Sequence, residues 1–553
     1  MANITVYIKD LAKVCKYPFG TSLSEIVKAE KMTSEYPFLG ALVNNKVRDL
    51  NYRLHKPVAI NFFDITSTHG IDMYSRSLYF ILFKAVRDEL PHVTLKILHS
   101  ISGGKYCELE GLEGELTQDI VDRLEQRMKE ITARNIPFLR DEMLTPNALA
   151  EFKKHNLYEK ARLFEDRGKI FTSVYRLDDD VNYYYGVLVP STGIVDTYKL
   201  EIYESGLLLK LPPRKSPKTL PKTRKLPKLF SVYQAYNRWV MQMGVPYISD
   251  INDRIDSGEI DDFVRITEAF HEKLIANLAD KVHEKGGVKI VLLSGPSSSG
   301  KTTTCRRLSV QLGVLGYKPV QISVDDFFVE RSETPRDENG DYDFETIDAV
   351  DLPLFNQTLN ELLQGKEVRM PTFNFATGQK EWRGKTLQIN EKSILIVEGI
   401  HCLNPKLTER IDDRYKFKIF ASALISVSID SQNPIPTSDN RLIRRIIRDY
   451  RYRNYSALDT LRRWPSVRNG EAKYIFPFQE NADIMFNTSL SCELGILKQY
   501  AIPILREVPE TEPEYAEASR LLKFLSFFKT IPEKSVPPGS ILREFVGGSH
   551  FSY

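Results

Sequence analysis

The chain has 553 residues, 42% hydrophobic and 27% charged, with a net charge of +3, which excludes a wholly disordered or fibrous protein and predicts three or four domains of ~150 residues. Basic and acidic residues nearly balance, so attraction to nucleic acid must come from a local patch. Five scattered cysteines (Cys15, Cys107, Cys305, Cys402, Cys492) form no C-x-x-C pair and predict reduced thiols in a cytoplasmic setting, and neither an export signal nor a membrane span is expected.

In chain order, "ITVYIKD" and "PVAINFFDI" predict strands around a helical "SLSEIVKAE" with Thr21 or Ser22 as N-cap, a small α+β domain over 1–65. Helical "MYSRSLYFILFKAVRDEL" and "TQDIVDRLEQRMKEITARN" alternate with strands "HVTLKILHSI", "KIFTSVYRL" and "NYYYGVLV", a second α+β domain over 66–212. "KLPPRKSPKTLPKTRKLPK" (210–228) is proline-rich, basic and free of acids, which predicts an extended spacer or surface arm that could touch RNA, with the linker proper at 213–230. Amphipathic periods predict a helical connector over 231–284. From 285 to 505 near-continuous apolar strands alternate with helices, as in a parallel sheet covered on both faces. "EASRLLKFLSFFKTI" in the remaining 506–553 reads as an amphipathic helix that docks on that unit, followed by an irregular end. The fold class is α/β and multidomain, two α+β domains preceding the parallel-sheet unit.

Gly295-Pro-Ser-Ser-Ser-Gly300-Lys301-Thr302 follows an apolar strand and opens a helix, which is the context of a phosphate-binding loop. Backbone N–H groups of Gly295, Ser297, Ser298, Ser299, Gly300 and Lys301 through Thr303 would cradle the phosphates of ATP, with the helix N-terminus adding positive charge. Lys301 would reach the β/γ-phosphates, and the Thr302 hydroxyl would join a Mg²⁺ shell with Glu398, the acid ending the strand "SILIVE". "QISVDDFF" puts Asp325 and Asp326 at the end of the next strand, where ligands of such sheets bind. A kinase acting on a hydroxyl needs a base there, and Asp325 is the candidate, with Asp326 the alternative. "DNRLIRRIIRDYRYRN" carries Arg441, Arg445 and Arg448 on one helical stripe with Arg444, Arg451 and Arg453 nearby, and only Asp439 and Asp449 to balance them. That surplus suits a lid over phosphates.

These ordered pieces resemble the uridine kinase and phosphoribulokinase group of P-loop kinases: "GPSSSGKTT", "SVDDFF", "DFETIDAVDLP", "MPTFNFATGQK", "IVEGI", "RLIRRIIRD" and "NADIMFN" stand in the family's order. The resemblance implies Asp325 as catalytic aspartate, Glu345 at the residue gripping the ribose hydroxyls, and Arg445, Arg448 and Arg453 as lid arginines on phosphate or nucleoside. Phe373 stands where uridine kinases have a tyrosine and Gly378 where they have a histidine, both of which help read the base, and Tyr455 replaces the last lid arginine. Phe373 keeps a stacking face and loses the hydroxyl.

Residues 1–65 resemble the TGS (β-grasp) domain of threonyl-tRNA synthetases, and 66–212 their editing-type second domain. Of the four metal-site positions His69 alone survives; Met73, Tyr184 and Leu188 stand at the others, so neither editing nor a metal is expected there. The combination implies an ATP- and Mg²⁺-dependent kinase of uridine, cytidine or another nucleoside, with weak RNA contact through the TGS-like domain or linker and a homo-oligomeric state. A kinase for another small sugar-like alcohol and a nucleotide-switched RNA- or ribosome-associated regulator are the alternatives.

Overall fold

The computed structural model describes residues 3–336, 340, 342–374 and 377–552. Ile4, Val6 and Ile8 alternate inward along Asn3–Ile8, the period-two pattern of a half-buried strand. That strand pairs antiparallel with Lys13–Pro18 and parallel with Val58–Phe63, in a five-stranded sheet completed by Gly40–Val43 and Lys46–Asp49. The helix Leu23–Ala29 buries Leu23 and Ile26 in the same cluster. Its cap is Ser22, whose hydroxyl accepts the Glu25 N–H while Glu25 Oε2 accepts the Ser22 N–H at 2.6 Å.

The helix Thr68–Glu89 is buried along most of its length and shares a core with a four-stranded antiparallel sheet (94–110 and 199–210) and a three-stranded one (139–144 and 171–182). Two expectations change here. "NYYYGVLV" is not a strand: the last strand of its sheet is Asp180–Asn182, after which Tyr183 and Tyr184 run irregularly yet buried. Side chains satisfy the backbone instead, Ser77 Oγ accepting the Val189 N–H and Asn433 donating to the Tyr183 carbonyl. The basic segment is no free spacer either. Lys210 lies buried in a strand with its ammonium on the Ser102 carbonyl and Thr223 hydroxyl. Arg214 donates to Thr68, Lys218 pairs with Asp196, and Pro227 already opens the helix Pro227–Gln242.

The C-terminal unit is built on β1 (Ile290–Ser294), β2 (Lys318–Ser323), β3 (Ser393–Glu398), β4 (Lys416–Ser422) and β5 (Ile484–Asn487). All neighbours are parallel, in the order β2-β3-β1-β4-β5. Ile290 and Leu292 enter one apolar cluster and Val291 and Leu293 the opposite one, which is why β1 reads as an unbroken apolar run. Helix α1 (Lys301–Val314) follows β1. Helices α2 (Thr437–Tyr452) and α3 (Ala457–Tyr474) stand between β4 and β5, with α4 (Glu493–Arg506), α5 (Tyr515–Leu525) and the short α6 (Arg543–Val546) after it. The expected irregular end is corrected at one turn, α6, where Ile541, Leu542, Phe545 and Val546 are buried in the core, while 547–552 runs irregularly as expected. Among the described residues no helix is long and apolar enough to cross a membrane.

Lys160, on the helix Tyr158–Glu165, is fully buried against Asp430, the last residue of the short strand Ser428–Asp430, and Asp430 also accepts from the N–H groups of Gln432 and Asn433. This pair ties the N-terminal half to the parallel-sheet unit. Removing one charge strands the other in a dry site, so Lys160→Met is expected to cost about 3–5 kcal/mol in urea unfolding. A midpoint equal to wild type contradicts this.

Candidate active site

The C-terminal ends of β1, β2 and β3 meet at one edge. Gly295 leaves β1 so close to β4 that a Cβ there would sit 2.0 Å from the Ala421 carbonyl oxygen. Ser298 (φ 57°) and Gly300 (φ 77°) take left-handed backbone, turning the loop into the start of α1. Lys301 Nζ donates to the carbonyls of Gly295 (2.9 Å) and Pro296 (3.1 Å), folding the lysine over the loop. The hydroxyls of Ser298 and Ser299 are buried without partners among the described residues, as in a cradle shaped for an acceptor-rich ligand. Thr302 Oγ1 lies 3.1 Å from Glu398 Oε2 at the end of β3. Oxygens of Thr302 and Glu398 side by side at this loop fit Mg²⁺, which takes few protein ligands and shares substrate phosphates; no larger His, Cys, Asp or Glu cluster suited to a metal occurs among the described residues.

Asp325 and Asp326 sit in the turn Val324–Phe327 after β2, Ser323 Oγ accepting the Asp325 N–H at 3.3 Å. They differ in engagement. The Asp326 carboxylate accepts a backbone hydrogen bond from Phe373, whereas that of Asp325 makes no hydrogen bond among the described residues. Asp325 keeps solvent access inside a recess crowded by protein, and dehydration raises its pKa against the pull of Lys301. Burial also lowers the pKa of Lys301, opposed by Glu398 and Asp325.

Glu345 reaches the same neighbourhood from the segment before Ile347–Ala349. Its side chain lies against Gly470 of α3, where a Cβ would come within 2.6 Å of Glu345 Cβ. Burial, with Glu471 adding, pushes Glu345 up to about 7; burial, opposed by Lys301, takes Glu398 to about 7. Both carboxyls therefore keep a proton in the folded chain across a window, from the ordinary 4.5 to about 7, in which the unfolded chain has released it. Stability of the ligand-free protein is expected to fall as pH rises through that window, by about 1.4 kcal/mol per pH unit for each group. Glu345→Gln and Glu398→Gln should each flatten part of the slope in unfolding midpoints; an unchanged slope in both contradicts the assignment.

Helix α2 closes the loop from above. Arg445 donates to Ser297 Oγ at 2.6 Å, and Arg441 to the Ser297 carbonyl at 3.0 Å. The expectation that only Asp439 and Asp449 balance this helix is corrected. Glu471 of α3 pairs with Arg441, Glu493 of α4 pairs with Arg444, and Asp439 turns away to Arg520. Glu471 Oε1 also accepts the Ser297 N–H at 3.1 Å, and although burial works to raise its carboxyl, Arg441 and Arg468 hold it below its ordinary value. What remains is Arg445, Arg448 and Arg453 around the single buried carboxylate of Asp449, a local excess of positive charge. Phe373 joins the site through its backbone, which bonds the Asp326 carboxylate, while its ring is buried edge-on to Phe328 in the apolar cluster beside β2. Gly378 turns at φ 73° against Arg331, and Phe375 and Ala376 of "MPTFNFATGQK" lie outside the described residues.

Sequence reasoning misses Glu471, Glu493 and Glu544. Glu544 Oε2 accepts from the Thr303 hydroxyl at 2.7 Å and the Thr303 N–H at 3.3 Å. No local pattern signals these acids, since each acts across a long stretch of chain. In the N-terminal half, His69 and Tyr184 line a cavity of about 220 Å³ with Asp72, Arg76 and Arg520, while Met73 and Leu188 are core residues. Burial lowers the His69 pKa.

A family model described as "Phosphoribulokinase / Uridine kinase family" matches residues 290–493. The uridine kinase of Borrelia duttonii is 30% identical over 206 residues, covering 36% of this chain and 85% of that protein. Uridine-cytidine kinase B of Dictyostelium discoideum is 27% identical over 197 residues, 35% of this chain and 73% of that protein. The N-terminal half matches threonine–tRNA ligases; that of Desulforamulus reducens is 30% identical over 198 residues, 36% of this chain and 31% of the ligase. The chain thus spans about a third of the length of these ligases, which stand among its first matches.

Proposed function

The chain belongs to the phosphoribulokinase / uridine kinase family, and from that premise we propose that it is an ATP- and Mg²⁺-dependent kinase transferring the γ-phosphoryl group to the 5′-hydroxyl of a nucleoside, uridine or cytidine foremost. The observation that carries this reading is the meeting, at one sheet edge, of a glycine-turned loop under Lys301, the Asp325 carboxylate, which makes no hydrogen bond among the described residues, and three arginines sharing Asp449.

In this reading the N–H groups of Gly295 and of Ser297 to Thr303 hold the phosphates, and Lys301 swings from the Gly295 and Pro296 carbonyls to the β/γ-phosphates. Glu345 accepts from the ribose hydroxyls and so fixes the 5′-hydroxyl toward Asp325. Asp325 takes the hydroxyl proton as the oxygen attacks phosphorus, the O–P bond to ADP breaking as the new one forms. Arg445, Arg448 and Arg453 spread the charge of the moving phosphoryl group. Thr302 and Glu398 would hold Mg²⁺, which when bound neutralises phosphate charge. Incubation with uridine or cytidine and ATP, followed by phosphorus NMR, is expected to show a nucleoside 5′-monophosphate and ADP in equal amounts. ADP formed without a phosphorylated nucleoside contradicts the reading.

The burial of Phe373 keeps a small sugar-like alcohol open as the acceptor. A nucleotide-switched RNA-associated protein draws support from a separate observation. A cleft of about 1070 Å³ between the hairpin 98–105, the linker and the kinase unit carries Lys105, Lys222 and Arg224, with Arg441 and Arg468 paired to Glu471 behind it, and no Asp or Glu on its walls among the described residues. RNA binding that weakens with salt and with Lys222→Ala and Arg224→Ala would favour that reading; binding indifferent to both would remove it.

A further inference from the structure

Resting on the kinase reading, we propose that Glu544 is the residue that sets nucleotide affinity, its carboxylate holding the place of a nucleotide phosphate on the first turn of α1 until the C-terminal segment withdraws. The first N–H groups of a helix have no partner within it, and in a phosphate-binding loop they are among the groups that receive the ligand. Thr303 is the third residue of α1, and its N–H and hydroxyl both donate to Glu544 Oε2. A carboxylate and a phosphate ask the same thing of these donors: both are anionic acceptors. They cannot share so small a volume without repulsion, and burial strengthens that repulsion.

The surroundings place the whole chain end, not one side chain, on the site. Ile541 packs so tightly on Gly300 that a Cβ there would lie 2.5 Å from its Cδ1, which covers the loop-to-helix corner. Phe545 lies under the Arg444 guanidinium, 5.1 Å from its carbon, and Gly547 runs beside Arg451. The segment therefore touches both the cradle and the arginine helix α2. Lys301 and Glu398 both feel the Glu544 charge. Arg543 anchors the same turn from behind, paired with Glu533 and donating to the Val536 carbonyl. A merely structural helix cap would need neither the approach to Gly300 nor the contact with α2.

The test uses the full chain and ADP, which binds without turnover. Glu544→Gln keeps shape and removes the charge, and calorimetry is expected to show ADP binding about tenfold tighter than wild type, the worth of one lost charge-assisted competitor. Hydrogen exchange of residues 541–547 in the wild type is expected to speed up on adding ADP. Unchanged or weaker binding by the variant, with tail exchange unmoved by ADP, overturns the proposal while leaving the kinase reading intact, provided Lys301→Ala weakens ADP binding. If neither protein binds ADP, or Lys301→Ala binds as wild type does, the kinase reading falls and the proposal with it.

Discussion

Asp325→Asn is expected to cut acceptor-dependent ADP release by about 10²- to 10⁴-fold, the usual worth of a positioned base, while ADP affinity stays within about twofold because no phosphate-cradle group is altered. The amide keeps the shape of the side chain and loses the capacity to take a proton. Asp325 rather than Asp326 is the residue to change because its carboxylate makes no hydrogen bond among the described residues, whereas that of Asp326 is spent on the Phe373 backbone. Asp326→Asn should weaken activity through the placement of Phe373, with a smaller loss in kcat. Near-normal turnover in Asp325→Asn with none in Asp326→Asn would transfer the role to Asp326.

Lys301→Ala is expected to lower turnover by about 10²- to 10³-fold and to weaken ADP binding as well, which separates it from the Asp325 variant. Lys301 bridges two carbonyls of the loop in the ligand-free chain and feels the charges of Glu398, Asp325 and Glu544. Its loss removes a charge for the β/γ-phosphates and leaves those three acids with less compensation, so bound phosphates meet a more negative site. Arginine at 301 should not restore activity, since a planar guanidinium cannot follow the path of the compact ammonium from the loop carbonyls to the phosphates. Unaltered kcat and ADP affinity in Lys301→Ala would mean that phosphates bind elsewhere.

The legible parts of the molecule are those whose causes are local. The loop from Gly295 to Thr302 is contiguous, and its strand and helix show in the apolar run Ile290–Leu293 and in the polar turn after it. The parallel sheet is readable because its strands are buried on both faces. Charge balance on α2 is not local. Glu471 meets Arg441 from 30 residues away, Glu493 meets Arg444 from 49, and Glu544 reaches Thr303 from 241. A window on the sequence therefore overstates the free charge of that helix, which resides in Arg445, Arg448 and Arg453 around one Asp449 and in Arg451, which pairs with no acid among the described residues. The basic linker misleads for a related reason: its proline content forbids a helix but says nothing about Lys210 finding two oxygen partners in a buried strand. The aromatic run Tyr183–Tyr185 has the composition of a strand, yet side chains on remote elements satisfy its backbone.

The most direct test of the central claim is a coupled ADP-release assay on the purified full chain with ATP and Mg²⁺ across a panel of nucleosides, deoxynucleosides, sugars and small alcohols. Acceptor-dependent release with at least one ribonucleoside, uridine or cytidine foremost, abolished by Asp325→Asn and by Lys301→Ala, is the predicted result. Silence from every nucleoside, with activity on another alcohol or on none, would contradict it.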